Sequence, residues 1–138
     1  MLGLAGRHAD IAGINPSIPK GYIDASAAAE IRPGTLDKKV GWLREAAGDR
    51  FSDLELNILV FAATVGPDAA AQRPGMAQMF GVPEEDLEAS PYAWVGDAKE
   101  IADGLRAARE RWGVSYFVVQ GDGAMDQVAP VVAELAGT

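Results

Sequence analysis

The 138-residue chain contains no cysteine, so disulfides, thiolate metal sites and a cysteine nucleophile are excluded. Histidine occurs once, at His8, and no His, Asp and Glu cluster at metal-ligand spacing accompanies it. Basic side chains are scarce: 12 Lys and Arg against 20 Asp and Glu give a formal net charge of −8. That balance argues against a nucleic-acid backbone or an anionic membrane as partner. No apolar run approaches the roughly 18 residues that span a bilayer. The N-terminus lacks a basic segment followed by an apolar core, as a secretory signal would require. A soluble cytoplasmic protein is the expectation. What is present is ordinary: 49% hydrophobic residues, enough for one globular domain and too many for a disordered chain.

Alternation of strand and helix signals runs through the chain. Leu2, Leu4 and Ala5 suggest a short amphipathic helix, against which Gly3 and Gly6 weigh. Ile11-Ala12-Gly13-Ile14 reads as a strand stopped by Asn15-Pro16. Ser17 to Gly34 holds Pro19, Gly21, Pro33 and Gly34 with little periodicity and reads as a long loop, a candidate lid. Thr35 is expected to cap a helix with Leu36, Val40, Leu43 and Ala47 on one face and Gly48 as its stop. Leu54 to Val65 reads as a strand, alternating at first and then apolar on both faces. Ala69 to Phe80 reads as helical with an interruption at Pro74-Gly75. Pro83-Glu84-Glu85-Asp86 starts a short helical turn.

Asp97-Ala98-Lys99-Glu100 resembles a capping box for a helix that continues through Ile101, Leu105, Ala108 and Trp112 to Gly113. Val114 to Val119 is a third strand. Gly121-Asp122-Gly123 turns into a last helix carrying Val128, Val131, Val132 and Leu135. Three strands separated by helices predict a parallel sheet with right-handed crossovers. The chain opens in mid-unit, with no strand ahead of its first helix. That opening predicts the back half of a larger α/β enzyme, with sheet edges left uncovered.

Several segments are similar to one family. Met1 to Asn15 resembles the stretch after the fifth strand of luciferase-like monooxygenases. Lys39-Val40-Gly41-Trp42-Leu43-Arg44-Glu45-Ala46-Ala47-Gly48-Asp49-Arg50-Phe51 and Leu54-Glu55-Leu56-Asn57 resemble the coenzyme F420-dependent oxidoreductase subgroup. Ser90-Pro91, Val95-Gly96 and Ala129 to Thr138 are similar to that subgroup's ending. The resemblance implies an α/β fold: a partial (β/α)8 TIM barrel, the last three parallel strands with flanking helices. Residues 1–138 are then the C-terminal half of the barrel domain. The front half, with the glycine-rich loop that receives the cofactor phosphate, is not in the sequence.

The resemblance implies an oxidoreductase that moves hydride between reduced coenzyme F420, or alternatively FMN, and an organic substrate in the intact form. This chain alone is expected to be inactive. Functional groups of such barrels sit at the C-terminal ends of strands: Asn15, Pro16 and Ser17, then Thr64, Val65 and Gly66, then Gln120, Gly121 and Asp122. Asn15 and Gly96 are the cofactor-binding positions the resemblance implies. Asn15 has a structural alternative, as the residue that ends its strand ahead of Pro16.

Other residues have plainer readings. Asp97 reads as a helix cap, His8 as structural at a helix end, and Gly121-Asp122-Gly123 as a turn without a phosphate-loop pattern. Trp42 and Trp112 are expected to pack outside the barrel, whereas Trp94 stands near the presumed active face. The acidic run from Glu84 to Glu88 reads as a solvated surface. A reading from another class is an interaction module. Its bare inner face, with Ile14, Leu59, Phe61 and Val118, would pair with a second copy or with a separately encoded front half.

Overall fold

The computed structural model describes residues 1–18, 25–121 and 123–136. Pro19, Gly21, Asp122, Gly137 and Thr138, named above, lie outside them. The chain order is α1 (Leu2–His8), β1 (Ile11–Gly13), α2 (Ala25–Glu30), α3 (Pro33–Ala47), β2 (Glu55–Val60), β3 (Ala62–Val65), α4 (Arg73–Phe80), α5 (Glu84–Glu88), β4 (Ala93–Gly96), α6 (Ala98–Trp112), β5 (Val114–Val119) and α7 (Ala124–Leu135). Single 3₁₀ turns occupy Gly48–Asp53 and Ala69–Gln72. No helix among the described residues is long and apolar enough to cross a membrane.

The strands expected from the sequence lie side by side, in the order β1-β2-β5, and both pairings are parallel. Each connection therefore crosses over through helices. Ala12 pairs with Leu56, and Leu59 with Val118. Ala12, Ile14, Leu56, Ile58 and Val114 are buried on the side where α3 and α6 supply Leu36, Val40, Leu43 and Trp112, and Val60 is buried with Ile101 and Leu105 of α6. Their neighbours in the alternation, Ile11, Gly13, Asn57, Leu59, Tyr116 and Val118, are exposed or half-buried. Among the described residues the sheet thus has a helix layer on one face only, and no barrel is closed.

A bulge makes that division possible. Leu56 faces Val114 but Asn57 faces Tyr116, so Ser115 is an extra residue in β5. The slip returns Phe117 to the helix side, opposite Ile58, and turns Tyr116 and Val118 to the bare side.

Four expectations need correction. The stretch Ser17 to Gly34 is not all loop, since α2 occupies Ala25–Glu30. The helix after it starts at Pro33, not at a Thr35 cap. Proline fits the first helical position because its missing N–H is unpaired there in any helix, and Thr35 Oγ1 instead donates to Ala29 O at 2.8 Å. Pro74-Gly75 opens α4 for the same reason rather than interrupting it. The long strand Leu54 to Val65 breaks at Phe61, whose N–H turns to Tyr92 O at 2.8 Å, and its second part pairs with β4, a strand not foreseen.

Helix ends follow local chemistry more closely. Asp97 caps α6 as expected, its Oδ1 accepting from Glu100 N at 2.8 Å. Gly113 ends α6 in the left-handed region at φ +77°, a conformation glycine adopts without strain. Arg50 ends α1 from a distance, donating to Gly6 O at 3.2 Å and Ala9 O at 3.1 Å.

Candidate functional site

Within each sheet the strands are parallel, so their C-terminal ends share one direction. Asn15 follows β1 and is exposed. Its Oδ1 accepts from Leu59 N at 2.8 Å, so the side chain extends the β1–β2 ladder by one rung after the backbone departs at Pro16. Its carbonyl accepts from Lys39 Nζ at 3.0 Å.

Lys39 belongs to a polar cluster that sequence reasoning missed. It projects from α3 and is 6% exposed, and its ammonium also meets Glu30 Oε2 at 2.6 Å. Glu30 accepts in addition from Ser17 N at 3.3 Å. The hydrogen bond from Lys39 holds the Glu30 carboxyl below the usual carboxylate range, against the opposing effect of burial. Tyr92, fully buried, donates its hydroxyl to Ile14 O. Burial pushes the phenol well above its ordinary range, and the nearby Glu30 charge pushes the same way. Ser90 Oγ donates to Ile31 O at 2.8 Å and accepts from Tyr92 N at 3.4 Å. The only sequence signal was Lys39 itself, on the same helical face as Leu36, Val40 and Leu43.

Gly96 ends β4, paired with Val65. A Cβ there would lie 2.5 Å from Glu100 Oε2 and 2.7 Å from Arg73 Nη2, so the absence of a side chain makes room for an ion pair. Arg73 donates through Nε to Val95 O at 2.8 Å and through Nη1 to Glu88 Oε1 at 3.2 Å, and its Nη2 meets Glu100. Glu100 therefore serves Arg73 rather than reaching back to close the capping box.

Asn15 and Gly96 are not neighbours. Asn15 binds Leu59 and Gly96 pairs with Val65. Those two partners lie in different sheets, Leu59 in β1-β2-β5 and Val65 in β3-β4.

The aromatics divide differently from expectation. Trp94 is 6% exposed, packs edge-on against Phe117 at 5.7 Å and donates Nε1–H to Pro91 O at 3.2 Å. It sits in the core with Ile101, Leu105, Val128 and Val131, not on an open active face, because β4 lies beneath α6. Trp112 is in the core as expected, its indole donating to Asp37 Oδ1 at 2.6 Å. Trp42 is 56% exposed and joins no core, since its helix turns Val40 and Leu43 inward instead. Ile14 is likewise on the helix-covered side, while Leu59 and Val118 stay on the bare one. Phe61 is half-buried, its ring 6.2 Å from that of Tyr92. His8 is exposed in the last turn of α1, and the described residues hold no group of three or more His, Asp or Glu able to bind a metal.

The bare sheet face is the second element of the site. Asn57 reaches from it to Tyr116 O at 3.3 Å through Nδ2, beside Leu59 and Val118. The surface is mainly apolar, with amide groups at one end, suited to the face of a planar ring. The strand ends are suited to a phosphate less well. Lys39 and Arg73 stand there, but each is already held by carboxylate.

No known protein family's profile matches the chain, and no curated protein matches it. Among solved structures it is similar to riboflavin lyase (RcaE), whose structure was determined with modified FMN and the substrate riboflavin. The TM-score is 0.56 at 13% sequence identity. The match covers 97% of this chain and 40% of that one, so the chain spans less than half the length of that enzyme. At this identity the likeness is one of fold.

Proposed function

We propose that this chain is the C-terminal half of a luciferase-like (β/α)8 barrel, part of a flavin- or F420-dependent oxidoreductase. The observation that carries this reading is the sheet β1-β2-β5. Its strands are parallel, stand in chain order and are covered by helices on one face only. In a (β/α)8 barrel the outer face of the sheet meets helices, and the inner face meets the side chains of the other strands. The likeness in fold to a lyase solved with FMN and riboflavin supports a flavin over an unrelated ligand.

When bound, F420 or FMN supplies the hydride chemistry, and the protein supplies position and exclusion of water. The residues present fit the ring and not the phosphate. Leu59 and Val118 offer an apolar bed, and Asn57 and Asn15 offer amides near its edge. Lys39 and Arg73 are neutralised by Glu30, Glu88 and Glu100, so among the described residues neither offers a phosphate an uncommitted cation. On this reading catalysis and substrate binding belong to the complete barrel.

The test compares this chain with the in-frame product that includes any coding sequence upstream of Met1, each titrated with FMN and with F420. One-to-one binding by the longer protein and none by the 138-residue chain is the expected result. Tight one-to-one binding by the short monomer would overturn it.

The bare face with Ile11, Leu59, Tyr116 and Val118 also favours a second reading, a non-catalytic half-barrel that pairs with another copy or with a separate front half. Sedimentation separates the two: an obligate dimer with no affinity for either coenzyme supports the second.

A further inference from the structure

A cavity of about 240 Å³ lies on the helix-covered side of the molecule, away from the bare sheet face. It runs between α6 and the segment from Leu87 to Val95. Leu87, Pro91, Trp94, Leu105, Ala108 and Trp112 make its walls apolar. On α6 Gly104, Ala107 and Ala108 are small, so the groove is roomiest between Leu105 and Trp112. A Cβ built on Gly104 would meet nothing within 4 Å.

Volume sets the size of an occupant. A dry engineered cavity of roughly 150 Å³ takes up benzene, so this one has room for a ring and a short tail. Charge sets the chemistry of the tail. At one end stand Glu88 and Glu100 with Arg73 between them, two negative charges against one positive. The Arg73 side chain is only 13% exposed and faces inward to Val95 O, whereas the carboxylates are 49% and 50% exposed. An incoming group meets carboxylate oxygen first. At the other end Arg111 is spent on Asp37 through two hydrogen bonds, of 3.0 and 2.7 Å. Neither end therefore offers an unpaired cation to an anionic ligand.

We propose that this groove binds a small amphipathic ammonium compound, its apolar body along α6 and its cationic head against Glu88 and Glu100. Trp94 and Trp112 line the walls, so occupancy changes intrinsic fluorescence. The site is independent of any flavin and does not rest on the proposed enzymatic reading.

The test titrates the purified chain with 2-phenylethylamine, and with phenylacetate and ethylbenzene as anionic and neutral analogues of the same body. Tryptophan fluorescence and calorimetry are the readouts. The amine binds at least tenfold more tightly than either analogue, and Glu88→Gln weakens it at least threefold. Gly104→Leu, at a position where an added Cβ has open space, removes amine binding while the circular dichroism spectrum and melting temperature stay at or above those of the parent. Equal binding of the three compounds, absence of saturable amine binding, or retained binding in a folded Gly104→Leu variant would each overturn the proposal.

Discussion

Tyr92 donates its hydroxyl hydrogen to the carbonyl of Ile14, joining the start of β4 to the end of β1 across 78 residues of chain. Both groups are fully buried. Tyr92→Phe keeps the ring and leaves the Ile14 carbonyl without its donor, at a cost of about 1–3 kcal/mol in urea unfolding. The phenol is neutral in the fold and its folded pKa is raised. Its contribution is therefore complete below the ordinary tyrosine range and is lost as pH rises above it. Ultraviolet titration of the native protein should show one phenol still protonated above the ordinary tyrosine range. A variant as stable as the parent, or a native protein without a late-ionising phenol, would remove the strut.

The Lys39–Glu30 pair depends on pH in the opposite direction. Glu30 has a lowered folded pKa, so the stability it adds is present above the ordinary carboxylate range and lost as pH falls through the folded value. Glu30→Gln leaves a buried ammonium with a neutral partner, costing about 2 kcal/mol at pH 7. Unfolding free energy measured from pH 7 to pH 3 should fall less steeply in the variant than in the parent. Parallel curves would sink the assignment.

Gly6 and Gly41 both lie inside helices, yet alanine should act on them in opposite senses. At Gly6 a Cβ would sit 2.9 Å from Leu43 O, a backbone atom of α3, where overpacking costs about 1–3 kcal/mol. That exceeds the gain of roughly 0.5–1 kcal/mol from helix propensity. At Gly41 a Cβ meets nothing within 4 Å, and the propensity gain stands alone. Thermal melts should show Gly6→Ala lowered and Gly41→Ala raised.

Gly96→Ala sets a methyl group against the far ends of two side chains, Arg73 and Glu100, which can swing aside. Its cost is the ion pair, about 1 kcal/mol. In a Glu100→Gln background that cost should shrink, because the displaced partner is already gone. Additive losses in the double-mutant cycle would show that the methyl group disturbs something else.

Local signals were legible in the sequence because they depend on near neighbours. The alternation of Leu56, Ile58 and Val60 marked a buried strand face. Asp97 and Gly113 marked the two ends of α6. The Leu36, Val40 and Leu43 spacing set the inward face of α3. Three strands in chain order, each followed by a helix, already required parallel pairing.

Contacts between distant segments were not legible in this way. Nothing near Lys39 announces that it ends against Glu30 and the Asn15 carbonyl, and nothing near Trp94 places it beneath α6. The extra residue at Ser115 and the break at Phe61 also escape local reading, because register is chosen by the partner strand. Periodicity and caps are free-energy preferences of a few consecutive residues, so the amino-acid order alone determined most of the helices, the three strands of the β1-β2-β5 sheet and their buried sides. Which charges meet, which glycines must stay bare and which sheet face is left without cover were decided only when segments far apart in the chain packed together.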